Sequence, residues 1–181
     1  MRRLLLMRHA KTEKDSASDK DRDRRLDDRG HRDSAAIGTW LADHDLLPDR
    51  VLVSSAERAR QTWDLLSRDW PQRPAEFRDD LYTADTSNLL TIIREAAGED
   101  PHRLMIVAHN PSLHEIALAF TAAGPAKARE ALRHHMPTGA VAVIDFAVDD
   151  WGDVAFRRGR LDRFVTPRQL REGAGRDMIG E

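Results

Sequence analysis

Apolar residues gather in three short unbroken runs, Leu4-Leu5-Leu6-Met7, Val51-Leu52-Val53 and Leu104-Met105-Ile106-Val107. A run of this length without alternation fits a strand buried on both faces, and a short buried helix is the other structure with that pattern. Each run is followed by a helix signal. Ser54-Ser55-Ala56-Glu57 reads as a capping box that opens a helix through Trp63, Leu65 and Leu66. Asn110-Pro111 reads as an N-cap and a first-position proline ahead of Leu113, Ile116, Ala117 and Phe120. Between the first two runs, Asp28 is placed to cap a helix whose Ala35, Ile37, Trp40 and Leu41 form one apolar face. Strand followed by helix, three times over, predicts a mainly parallel sheet in an α/β fold.

The remaining pattern is weaker. Thr86 or Ser87 can start a helix through Leu89, Leu90, Ile92 and Ile93, closed by Gly98 and Pro101. Val141 to Phe146 and residues 154–158 are predicted as late strands. Residues 11–29 carry almost no apolar side chain, which predicts a mobile surface loop. The chain divides into one domain over residues 1–166 and a C-terminal tail, 167–181, expected to order only by docking on something.

Composition narrows the function. The 181 residues suit one domain. With 29 Lys plus Arg against 31 Asp plus Glu, no global field draws the protein to nucleic acid or to an anionic membrane, so any cation cluster that matters is local. The absence of cysteine removes disulfides, thiolate metal sites and thiol catalysis. The apolar run at the N-terminus is too short for a secretion signal, and the expected location is cytoplasmic.

Ligands of open parallel sheets bind outside the carboxyl ends of the strands, where helix N-termini point their positive ends. The first run is followed at once by Arg8-His9, the second by Ser54-Ser55 and then Arg58, and the third by His109-Asn110. Three strand ends thus deliver two arginines and two histidines to one rim. Each alone has an ordinary explanation: a partly buried histidine, a solvated helix arginine, a helix cap. Together they suit a phosphoryl group, because arginine forks bind phosphate oxygens bidentately and remain charged. Positive neighbours keep His9 neutral, with a lone pair for attack on phosphorus and a phosphohistidine intermediate to follow. A metal site is disfavoured: His109 and His114 lack the spacing of a helical zinc pair, and His134-His135 are adjacent. Neither a Walker loop nor Gly-x-Gly-x-x-Gly is present.

These residues lie in segments that resemble the histidine phosphatase superfamily, the phosphoglycerate mutase-like group, and within it the SixA-type phosphohistidine phosphatases. The segments, in order, are LLLMRHAKTE, LDDRGHRDSA, VSSAERARQTWDLL, LYTADTSNLL, VAHNPSLHEIA and TGAVAVIDF. The resemblance implies a three-layer α/β/α fold, no cofactor and no metal, with His9 as nucleophile and Arg8, Arg58 and His109 around it. The family's usual Arg-His-Gly reads Arg8-His9-Ala10 here. The mutase-like members use a glutamate as general acid, whose equivalent has no obvious place in this chain; Asp85 is the candidate, with Glu13 and Asp15 behind it. Lys11, Arg24 or Arg25 can close over a substrate. The expected partner is a phosphorylated protein or a small phosphorylated molecule, with the chain a monomer or, through Trp63 and Trp70, a homodimer. A phosphoglycerate mutase-like transferase and a non-catalytic phosphate-binding or phosphopeptide-binding module are the alternatives. A mutase returns the phosphoryl group to its substrate, whereas a phosphatase releases it.

Overall fold

The computed structural model describes residues 1–173. Its elements run β1 (Arg2–Arg8), α1 (Asp28–Asp43), β2 (Arg50–Ser54), α2 (Glu57–Leu66), β3 (Ala75–Arg78), α3 (Thr86–Glu95), β4 (Arg103–Ala108), α4 (Ser112–Phe120), β5 (Thr121–Ala123), α5 (Ala126–His134), β6 (Val141–Phe146), β7 (Gly159–Val165) and α6 (Pro167–Arg171). The seven strands form one sheet in the order β3-β2-β4-β1-β6-β7-β5. β1, β2, β3 and β4 pair in parallel, whereas β6 runs antiparallel to both β1 and β7. The sheet is therefore mainly parallel, as the three apolar runs predict, with one reversed strand beside the central one.

Side chains of a strand alternate between faces, and the buried residues divide accordingly. Leu4, Leu6, Leu52, Leu104 and Ile106 pack under α3, α4 and α5. Leu5, Met7, Val51, Val53, Met105 and Val107 pack under α1 and α2, with Leu170 of α6 against the same cluster. The result is the three-layer α/β/α architecture. All four tryptophans are buried in it. Trp63 and Trp70 meet edge to face with ring centroids 5.8 Å apart, and the Trp70 indole N–H donates to Gly38 O. Both are spent on this chain's own core, which withdraws the reason for reading them as dimer anchors.

Several local expectations are corrected. Helix α1 is capped by Asp27, one residue before Asp28; its carboxylate accepts from Gly30 N. Helix α2 has Ala56 as N-cap with no side-chain bond: the Ser54 hydroxyl accepts from Ala56 N, short of the first helical turn, and the Ser55 hydroxyl accepts from Arg22. Helix α4 opens at Ser112 behind Pro111, and the Asn110 side chain donates to Met136 O instead of capping. Residues 154–158 are not a strand: Val154 leaves a 3-10 turn at Trp151–Asp153, and Arg157 turns the chain at φ 59° before β7 begins at Gly159.

The charged segment 11–29 is not a free loop. A bridge between Thr12 and Leu26 makes a neck, Leu26 is buried, and Asp28 and Arg29 already belong to α1. The tip folds into a 3-10 turn at Asp21–Asp23. Its charges order it by pairing with the domain. Of the tail, Pro167–Arg171 forms α6 with a Thr166/Gln169 capping box, and Arg171 reaches the buried Asp33 at 2.5 Å. Residues 174–181 lie outside the described residues.

Candidate active site

The site is assembled at the carboxyl end of β1. Arg8 closes that strand, with its N–H on Ala140 O at 3.1 Å, and the next N–H, of His9, donates to Ala108 O of β4 at 3.1 Å. The turn before β6 folds over the same end, where Gly139 N donates to the carbonyls of both Arg8 and His9. Gly139 sits at φ 78°, and a side chain there would meet Pro167 at 2.7 Å. Ala10 is buried, its N–H donates to Thr62 Oγ1, and it is not among the residues of positive φ, so alanine fits where the family pattern has glycine. Thr62 in turn donates to Arg58 O, which ties α2 to the end of β1.

The two histidines face each other with ring centroids 5.3 Å apart. His9 is 6 % exposed and His109 9 %. The contacts of each ring fix its tautomer. His9 Nδ1 lies 2.8 Å from Ala10 O, and a carbonyl only accepts, so the proton is on Nδ1 and Nε2 carries the lone pair. His109 Nε2 lies 2.7 Å from Ser54 Oγ. The Ser54 hydroxyl has no other acceptor among the described residues, so it donates to Nε2 and the His109 proton sits on Nδ1. Burial first, then the charges of His109, Arg58 and Arg8, push His9 down to about 3, against the opposing hydrogen bond to Ala10. Burial and then Arg58 push His109 down to about 4. Both rings are neutral near pH 7.

Around them stand donors without acceptors. Arg8 Nε, Arg58 Nε and His109 Nδ1 are buried and make no hydrogen bond among the described residues. Buried polar groups are ordinarily satisfied, and several unsatisfied donors in one place mark a missing acceptor. Arg8 uses one Nη1 hydrogen on Met136 O. Arg58 gives Nη1 to Asp21 O at 2.8 Å and Nη2 to Asp21 Oδ2 at 3.1 Å. The arrangement is an anion pocket with a neutral imidazole lone pair in it. Among the described residues no three His, Asp or Glu side chains converge as a metal cage.

Residues 4–89 match the family model described as the histidine phosphatase superfamily, branch 1. An uncharacterised protein of Mycobacterium leprae is 32% identical over 149 residues, covering 82% of this chain and 89% of its own length. An uncharacterised protein of Mycobacterium tuberculosis is 33% identical over 164 residues, covering 90% and 100%. Among solved structures, the "putative phosphohistidine phosphatase SixA" from Agrobacterium tumefaciens is 30% identical and superposes with a TM-score of 0.74 over 92% of this chain and 99% of its own. Its counterpart from Nakamurella gives 0.77 at 30% identity over 92% and 96%. This chain belongs to the histidine phosphatase superfamily.

In this histidine phosphatase the four strand-end residues, Arg8, His9, Arg58 and His109, come together. Asp85 does not join them: it is the N-cap of α3, its carboxylate bound to Asn88 N in a capping box. Glu13 and Asp15 are exposed, and Lys11 likewise. Arg24 pairs with Asp21 at 3.1 Å and Arg25 with Glu57 at 3.8 Å. Three neighbours went unseen in the sequence. Tyr82 places its ring edge-on to His109 at 5.6 Å and its hydroxyl 2.8 Å from Asp21 Oδ2. Arg22 donates to Ser55 Oγ at 2.6 Å and pairs with Asp79. Asp21 itself, one acid among many in residues 11–29, had no distinguishing neighbour in the sequence. Ser54 was visible only as a helix cap.

Proposed function

We propose that the chain is a metal-independent phosphatase that takes a phosphoryl group onto His9 Nε2 and hands it to water. The observation that carries this is the neutral His9 lone pair opening onto three buried donors, Arg8 Nε, Arg58 Nε and His109 Nδ1. Nε2 attacks phosphorus, the bond to the leaving group breaks, and the growing charge on the phosphoryl oxygens falls on donors already in place. Preorganised donors of this kind contribute about 2.7–4 kcal/mol each at comparable oxyanion sites. The phosphorylated ring keeps its Nδ1 proton on Ala10 O, so the intermediate is an imidazolium and a good leaving group for the second step.

The substrate class we favour is a phosphohistidine in a protein, on the strength of the 30% identical structures described as SixA. A small phosphate ester is the second class. Among the described residues no carboxyl is hydrogen-bonded to either histidine, which suits a leaving imidazole better than a leaving alkoxide. No described helix is long and apolar enough to cross a membrane, and we place the enzyme in the cytoplasm.

The test is trapping. Incubation with a labelled phosphodonor and quenching in alkali should leave acid-labile phosphate on His9, and His9→Ala should abolish both the label and the turnover of an aryl phosphate without unfolding. Turnover unchanged in His9→Ala would reject covalent catalysis. Release of inorganic phosphate, with none returned to the substrate, separates a phosphatase from a mutase.

A further inference from the structure

Breakdown of a phosphohistidine needs a group to take the proton of the attacking water. His9 is then the leaving group, and the free atoms of Arg8, Arg58 and His109 are all donors. Asp85 is committed to the α3 cap. Among the described residues, one carboxylate touches the clamp, and it belongs to Asp21. We propose that Asp21 is the proton acceptor for this water, a role that rests on the phosphatase function proposed above.

Three features place it. Asp21 occupies the end of the Arg58 guanidinium, O on Nη1 and Oδ2 on Nη2, which leaves Nε and the remaining Nη hydrogens for phosphoryl oxygens. The carboxylate therefore stands one guanidinium away from the group being hydrolysed. Oδ2 is fixed from a second side by the Tyr82 hydroxyl, whose ring abuts His109. Oδ1 lies 3.1 Å from Arg24 Nε, yet that nitrogen makes no aligned hydrogen bond, so Oδ1 has lone pairs to spare. The side chain is 56 % exposed and borders an open groove of about 340 Å³ with Lys14, Asp15, Ser16, Asp19, Lys20 and Arg24. Water reaches it from that side. The hydrogen bond from Tyr82, and after it the charge of Arg58, hold Asp21 below the usual carboxylate range.

The step balances without a co-reactant. The water oxygen bonds to phosphorus as the P–Nε2 bond breaks, and the electron pair of that bond returns to Nε2. The water proton passes to Asp21 Oδ1 and from there to solvent. Nδ1 keeps its proton throughout.

Asp21→Asn preserves an oxygen for Arg58 and Tyr82 but cannot take the proton. With p-nitrophenyl phosphate, whose leaving group needs no acid, phosphorylation of His9 should persist while its hydrolysis slows by roughly 10²-fold. The expected record is a burst of about one nitrophenolate per enzyme followed by slow turnover, with alkali-stable phosphohistidine on most of the protein. Wild-type turnover in Asp21→Asn, or slow turnover with no accumulated phosphoenzyme, overturns the proposal; the latter makes Asp21 a brace for Arg58 alone. Wild type and His9→Ala are run alongside. A wild type that releases no more inorganic phosphate than His9→Ala rejects the phosphatase function itself, whereas a wild type that turns over through His9, with no accumulation in Asp21→Asn, rejects only the role of Asp21.

Discussion

A histidine buried at the end of a strand has two quite different uses, and here the hydrogen-bond partner decides between them. Ala10 O takes the Nδ1 proton of His9 and leaves Nε2 free, whereas Ser54 holds His109 at Nε2 and leaves Nδ1–H as a donor. Replacing Ser54 by alanine frees that ring to turn or to change tautomer, and we expect kcat to fall about 10²-fold, as for loss of a positioned oxyanion donor, with about 1–3 kcal/mol of stability lost because the buried His109 Nε2 and Ala56 N lose their partner. Both imidazoles are pushed well below the ordinary histidine value, to about 3 and about 4. The folded state thus refuses protons that the unfolded chain accepts near 6.5, so these two groups favour unfolding progressively as pH falls below about 6.5. Ring C–H resonances of His9 and His109 should stay constant between pH 7.5 and 5.5; a midpoint near 6.5 in either would contradict the burial described. The convergence of Arg8, His9, Arg58 and His109 is legible in the sequence because each follows a buried run directly. Asp21 and Tyr82 are not legible, since a dense charged segment gives every acid the same local appearance and only folding selects one. Ser54 misleads for a related reason: serine ahead of a helix is a cap by pattern, and nothing local reveals that a histidine 55 residues away takes its hydroxyl.

Elements were readable where the pattern was strong. The three apolar runs became β1, β2 and β4, and the amphipathic stretches after them became α1, α2 and α4. The edge strand β3 carries alternating charged residues and is mostly exposed or half-buried, so no hydrophobic run announces it. The segment at 154–158 looked like a strand because Val154 and Phe156 alternate with other residues, yet the positive φ of Arg157 delays pairing to Gly159. Two substitutions test the elements. Asp85→Ala should cost about 1 kcal/mol through loss of the α3 cap while leaving kcat intact, whereas a large loss of kcat would reinstate Asp85 as the acid. Gly38 lets α1 approach α2 so closely that a Cβ would meet Leu66 O at 2.0 Å. Gly38→Ala should therefore destabilise by about 1–3 kcal/mol through overpacking, although alanine is the better helix former, and denaturant titration will show the sign.

For the molecule as a whole, the last described helix closes the structure back onto its beginning. Arg171 of α6 reaches Asp33 of α1 at 2.5 Å, and Arg29 stands 3.6 Å from the same carboxylate. Arg171→Ala leaves a buried acid with its weaker partner and should lower stability by about 1–3 kcal/mol, read as a fall in the thermal midpoint at pH 7. A domain boundary at 166 would have divided these partners, because a short glycine-rich and charged ending offers no apolar pattern by which to see the contact. The reversed direction of β6 has a wider consequence. Of the strands beside β1, β4 runs into the site whereas β6 runs away from it, so the connection entering β6 arrives at the nucleophile from a helix on the far layer. The α5–β6 connection is accordingly a wall of the pocket as well as its approach: Met136 O takes an Arg8 hydrogen and Gly139 N holds the carbonyls of Arg8 and His9, so any exchange of this connection that admits other molecules must keep those two anchors.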